Sequence, residues 1–306
     1  LEPHLIGLLS AQNAGAPAIR KFVMIGDHKQ LPAVVQQRPE VSAVKEQSLR
    51  DILLTDCRLS LFERLLRRYH GRKDVMFMLH KQGRMHPDIS LFPNREFYGG
   101  LLQPVPLPHQ QEALPTSADC NDGITRMLLT HRIAFFNTEL PADDELDKVN
   151  TVEAEMIAAT VMKIYEIERN RFDTDKTVGV IVPYRNQIAT IRSCIDRYGI
   201  DTLHDITIDT VERFQGSQCR YIIYGFTIRR YYQLRFLTDS TFEDIDGTLV
   251  DRKLNVAMTR AEEHLIMFGH APLLAQSPVF ARLLAFMRER GTLFKANKED
   301  YMQGRF

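Results

Sequence analysis

The chain has 306 residues, with 39 Lys and Arg balanced by 39 Asp and Glu, so no global field draws it to a polyanion, although a local basic groove remains compatible. Hydrophobic content of 44% and charged content of 25% describe an ordinary globular protein long enough for two domains, or for one and part of another. Four scattered cysteines without zinc spacing, no signal-peptide pattern at Leu1-Glu2-Pro3-His4 and no apolar run near the roughly 20 residues of a membrane span point to an intracellular, cytoplasmic protein with no metal centre and no membrane partner.

In chain order, a helix is expected at Leu5–Ser10, a loop at Ala11–Pro17 and a buried strand at Phe22–Ile25. Gly26-Asp27-His28-Lys29-Gln30-Leu31-Pro32 follows. After a strand, Asp27 and Gln30 would stand at the carboxyl edge of a sheet, where α/β proteins bind ligands. An amide there can donate to a γ-phosphate oxygen and accept from a water; the run also suits a polar turn closed by Leu-Pro. From Leu49 to Arg68 apolar residues recur near helical spacing, with Arg64, Arg67 and Arg68 on an exposed face. A second short strand, Val75–Leu79, leads into Gln82-Gly83-Arg84-Met85-His86-Pro87. Arg84 is either a fixed cation for a transferring phosphoryl group, able to contribute on the order of 10³-fold in rate, or a surface arginine paired with Asp88 or Glu96. A helix-like stretch ends in Asn94-x-x-Phe97-Tyr98-Gly99, and Gly99–Pro115 reads as a surface connection.

Beyond that the pattern alternates. Strands are expected at Ile133–Phe136, Val178–Val182, Thr207–Asp209, Tyr221–Phe226 and Leu265–Phe268, and helices at Thr151–Arg169, Asn186–Tyr198, Arg252–Ala261 and Val279–Arg290. Continuous apolar strands between helices imply an α/β fold with a doubly wound parallel sheet and right-handed crossovers. Three segments carry chemistry. Pro183 and Tyr184 end a buried strand, so the tyrosine can stack on any base or pack under a loop. Asp209-Thr210-Val211-x-x-Phe214-Gln215-Gly216-Ser217 offers a hydroxyl and a close backbone approach for a nucleotide or a sugar–phosphate chain, or is a capped loop. On the helix Leu254-Asn255-Val256-Ala257-Met258-Thr259-Arg260, Asn255 and Thr259 share a face beside Arg260, which is an arginine finger or a helix-end charge. Thr227–Asp251 interleaves Arg229, Arg230 and Arg235 with Tyr231 and Tyr232, as a single-strand platform or a solvated loop would.

A motor ATPase also needs Gly-x-x-x-x-Gly-Lys-Ser/Thr to cradle the triphosphate and an acidic pair for magnesium, and neither occurs in the 306 residues. Taken in order, the segments resemble superfamily 1 helicases, in the branch that holds the nonsense-mediated-decay RNA helicase. Gly26–Val35 resembles motif III, Gln82–Pro87 motif IV, Asp209–Gly216 motif V and Leu254–Ala261 motif VI. Ser60–Leu65, Phe97–Gly99, Asn150–Ala154 and Val180–Gln187 resemble connecting blocks, and the likeness runs from Glu2-Pro3 to about residue 295.

The resemblance implies a RecA-like, P-loop NTPase-type fold, with residues 1–80 the tail of a first domain and 81–306 the second. ATP with Mg2+ would lie between the domains. The metal ligands would come from upstream of Leu1, in a missing N-terminal half of the same protein. Gln30, Arg84 and Arg260 would act on the γ-phosphate, with Gly26, Asp27, Gln82, Gly216 and Gln218 around the nucleotide. Pro183, Tyr184, Thr210 and Asn255 would lie along single-stranded DNA or RNA. This stretch alone would be inactive. Gly83 stands where the family usually has Tyr, Gln218 where it has Glu, and Ala33 where it has a second Pro. A non-catalytic helicase-like module that binds a single strand or a protein partner is the alternative.

Overall fold

The structure, a computed structural model, describes residues 5–140 and 147–306, so Glu2 and Pro3 lie outside it. The chain divides into two compact units, Leu1–Leu79 and His80–Phe306. In the first, the longest described helix is α1 (Leu61–Arg68), whose N-cap Ser60 accepts from the Glu63 amide.

In the second unit six strands form one sheet: β1 (Ile133–Asn137), β2 (Val178–Ile181), β3 (Thr207–Asp209), β4 (Cys219–Gly225), β5 (Ala261–Gly269) and β6 (Leu293–Lys295). Their spatial order is β6-β1-β5-β4-β2-β3, and every pairing is parallel. Alternation along a strand sends Ala134 and Phe136 to one face and Ile133 and Phe135 to the other. All four are buried, which is why β1 reads as an unbroken apolar run.

Helices α3 (Gly123–Thr130), α4 (Thr151–Glu168) and α5 (Arg185–Asp196) cover the first face, where Met127, Ile157 and Ile191 join Ala134, Val180 and Ile266 in one core. On the other face lie α2 (Pro87–Phe97), α7 (Arg252–Met258) and α8 (Pro278–Glu289), knitted by ring contacts of Phe135 with Phe226, Phe226 with Phe280 and Phe92 with Phe286. This is a doubly wound α/β domain of the RecA-like kind. Among the described residues no helix is long and apolar enough to cross a membrane.

The first unit departs from the sequence reading. Phe22–Ile25 and Val75–Leu79 form no strand, and Val23 and Phe77 are about four-fifths exposed, at 79% and 84%. A short apolar run becomes a strand only by pairing, and no described strand lies beside either of these. Leu49–Arg68 is likewise not one helix. It breaks after Gln47–Asp51, where Leu53 takes a left-handed φ of 67°, and restarts at the Ser60 cap. In the second unit the segment Thr227–Asp251 contains α6 (Tyr231–Leu237) and a hairpin of Thr241–Glu243 with Leu249–Asp251, neither of them anticipated.

Candidate functional site

In the first unit Gly26–Pro32 is a turn rather than a strand-end loop. Asp27 organises it. Its Oδ1 accepts from the Lys29 amide at 3.0 Å, its Oδ2 from Gln30 Nε2 at 3.1 Å, and its carbonyl from the Gln30 amide at 3.2 Å. The Gln30 carboxamide is thereby held by the residue three before it. The turn rests on α1: a Cβ on Gly26 would lie 3.5 Å from the Phe62 ring, an ordinary van der Waals contact.

In the second unit five of the expected residues meet at the amino edge of β4 and β5. Gln82 closes its loop by accepting from the amides of Arg84 (3.0 Å) and Met85 (2.8 Å), and Gln110 Nε2 braces it through the carbonyls of Gln82 (3.1 Å) and Met85 (2.9 Å). The His86 amide donates to Glu262 O at 2.8 Å, which hangs the loop on β5. Arg84 then donates from Nε to Gln218 Oε1 at 2.8 Å and from Nη1 to Thr259 O at 3.0 Å.

Gln218 donates in turn to Glu262 Oε1 at 2.5 Å. Arg260, 2% exposed, donates to Val256 O at 3.1 Å and to Ser217 O at 3.4 Å, and Gly216 makes the turn beside it with a φ of +96°. Burial lowers the pKa of Arg84, Glu262 opposing the shift. The surface pairings considered for Arg84 are taken by others: Asp88 binds Arg290 at 2.9 Å and Glu96 binds Arg282 at 2.7 Å.

Pro183 and Thr210 lie together at the opposite, carboxyl edge. The Val182 amide donates to Asp209 O at 3.1 Å, extending the ladder to the point where both residues leave the sheet. The other two residues expected there are not open to a strand. Tyr184 is 7% exposed because Phe236 of α6 stacks on its ring at 5.3 Å, and burial pushes its phenol up to about 12. Asn255 is fully buried and donates to Tyr98 Oη at 2.8 Å. It braces α7 against the end of α2, because α7 is buried on every side from Lys253 to Met258.

Two segments run from one edge to the other. The loop after β3 begins at Thr210 and ends at Ser217 beside Arg260. Helix α7 lines a small cavity with Pro183 through Lys253 and leads through Arg260 into β5. Asn150 and Gln187 exchange reciprocal bonds at 2.8 Å, tying the start of α4 to the start of α5, which follows Pro183 and Tyr184. The connecting blocks thus act as braces for the motifs. Glu262, Gln110 and Phe236 carried no sequence signal, since each acts only through a partner far along the chain. At Gly83 a Cβ would lie 3.3 Å from Leu107 Cδ1, the end of an exposed side chain. Among the described residues no cluster of three or more His, Cys, Asp or Glu could hold a metal ion.

A protein-family profile described as an AAA domain matches residues 57–272. The chain is similar to 3'-5' exoribonuclease HELZ2 of Mus musculus, with 31% identity over 92% of this chain and 9% of that protein. It is similar also to Regulator of nonsense transcripts 1 of Dictyostelium discoideum, with 27% identity over 93% of this chain and 19% of the relative. ATP-dependent helicase NAM7 of Saccharomyces cerevisiae is 28% identical over 92% of this chain and 26% of its own length. The chain therefore spans about a quarter or less of each of these relatives.

Proposed function

The chain belongs to the AAA-domain family of superfamily 1 helicases, in the branch of the nonsense-mediated-decay RNA helicase, and from that membership we propose that it forms part of an ATP-dependent helicase acting on single-stranded DNA or RNA. In this reading residues 1–80 are the tail of a first RecA-like domain and residues 81–306 the second. The observation that carries it is the meeting of Arg84, Gln218 and Arg260, from three distant segments, at one sheet edge.

ATP, when bound, supplies the phosphoryl group whose transfer to water drives motion. Arg84, steered by Gln218 and Thr259 O, offers fixed positive charge to the γ-phosphoryl oxygens as their charge develops. Arg260 holds the segments after β3 and α7 together and adds a second charge from the same edge. Gln30, set by Asp27, is the amide that senses the γ-phosphate. Pro183 and Thr210 lie along the strand, and Tyr184 and Asn255 act from behind that track. The ligands of the magnesium that accompanies ATP would lie with the phosphate cradle, in another part of the protein. Residues 1–306 alone therefore turn over no ATP. A cytoplasmic location completes the reading, and the four free cysteines fit it.

The test is ATP hydrolysis by the parent protein, with and without single-stranded DNA or RNA, beside its Arg84→Ala variant. Turnover stimulated by the strand and reduced on the order of 10³-fold in the variant is expected. Wild-type turnover in Arg84→Ala would overturn the assignment. A second reading, a non-catalytic module that binds a strand or a partner protein, is favoured by the burial of Arg260 on main-chain carbonyls, as a brace would be. Under it the parent binds its partner without nucleotide turnover.

A further inference from the structure

Helix α6 leaves three rings half in water at the carboxyl edge of the sheet: Tyr231, Tyr232 and Phe236 are 51%, 48% and 45% exposed. Tyr232 and Phe236 are four residues apart and share one face of the helix. Arg235 lies over the Tyr231 ring at 5.2 Å on the neighbouring face.

Phe236 is not loosely held. Its ring stacks on the buried Tyr184 at 5.3 Å with 19° between planes, and Lys253 Nζ stands 4.3 Å from its centroid, fixed by Asp239 at 2.9 Å. The start of α6 is pinned by Gln233 Oε1, which accepts from the amides of Arg229 (2.7 Å) and Arg230 (2.9 Å). Phe236 also lines the small cavity that Pro183 lines. The exposed ring therefore has a rigid backing and stands where the strand track leaves the sheet.

We propose that α6 is a stacking platform for single-stranded nucleic acid, with a base on the open side of Phe236, Tyr184 as its buried backing and Tyr232 the next ring along. This rests on the helicase reading and deepens it by moving the stacking contact from Tyr184 to Phe236. A flat, preorganised ring accepts any base, and Arg229, Arg230 and Arg235 offer cations to the flanking phosphates. Carboxylates also rim the patch. Asp147 accepts from Tyr232 Oη, and Asp239 and Glu212 face Lys253. The patch then has little net charge, so long-range attraction of the strand is weak and stacking carries the recognition, while the arginine–phosphate contacts still weaken as salt rises.

The chain contains no tryptophan, so Phe236→Trp puts a single indole on the platform. The full chain carrying it is titrated with 12-residue oligo-dA and oligo-rA without nucleotide, and quenching of the indole is expected as bases stack. The two oligomers separate DNA from RNA. By fluorescence anisotropy, Phe236→Ala and Phe236→Leu should each bind about tenfold more weakly while Phe236→Tyr holds, because loss of one base stack is the cause rather than loss of apolar bulk. Melting temperatures near that of the wild type show that the variants fold. Wild-type affinity in both Phe236→Ala and Phe236→Leu, an indole unquenched at saturation, or no strand bound by the wild-type chain would each overturn the platform. Strand-stimulated ATP turnover by the parent protein, measured alongside, would leave the helicase reading standing in any of those cases.

Discussion

At the scale of single residues the least expected group is Glu153, a fully buried carboxyl near the start of α4. It accepts from the Thr227 amide at 2.8 Å, from Asn150 Nδ2 at 3.1 Å and from Thr138 Oγ1 at 3.4 Å, yet burial lifts its pKa from 4.5 to about 8, with the Thr227 and Thr138 bonds pulling the other way. The folded value lies above the unfolded one. The stability this gives is full below about pH 4.5 and is lost as pH rises towards 8, at up to about 1.4 kcal/mol per pH unit. Melting temperatures measured from about pH 5 to about pH 9 should fall in the wild type and stay flatter in Glu153→Gln. Parallel curves would mean that its hydrogen bonds, not burial, set its protonation. Arg84 and Arg260 were legible in the sequence because their motifs are local. Asn255 and Tyr184 were legible as motif members, but their contacts were not: what covers each one comes from Tyr98 and from Phe236, far along the chain.

At the scale of elements, β1, β2, β4 and β5 were legible because a strand covered on both faces has a continuous apolar run, a pattern that needs no knowledge of partners, whereas the edge strand β3 buries only Ile208. Phe22–Ile25 reads identically and is not a strand, since pairing is a property of two segments and sequence periodicity reports only one. The break in Leu49–Arg68 was hidden for a related reason: apolar spacing continues across Leu53, whose backbone has left the helix. The exposed runs have a cost in water. Val23→Lys together with Phe77→Lys should reduce self-association of the chain in light scattering and leave the melting temperature unchanged. A drop in melting temperature would show that the two side chains are packed instead.

At the scale of the whole molecule the two units are unequally held. Among the described residues of Leu1–Leu79 the buried apolar side chains are Val44 and Leu61, whereas His80–Phe306 carries the two-faced core of the sheet. Opening free energy follows buried contact, so brief trypsin treatment should trim the first unit and leave a resistant fragment beginning near His80, identified by mass spectrometry. First cuts inside α4 or β4 would contradict that ordering. Helix α7 has a consequence of another kind. Seven residues at about 1.5 Å rise make a rod of about 10 Å, buried from Lys253 to Met258 among packed neighbours that leave it little room to bend. A rod so confined can only slide or turn as one piece, so a displacement at its Arg260 end arrives at its Lys253 end undiminished. In mechanical terms it is a pushrod, and stiffness rather than charge would set how far the carboxyl edge of the sheet moves for each shift at the amino edge.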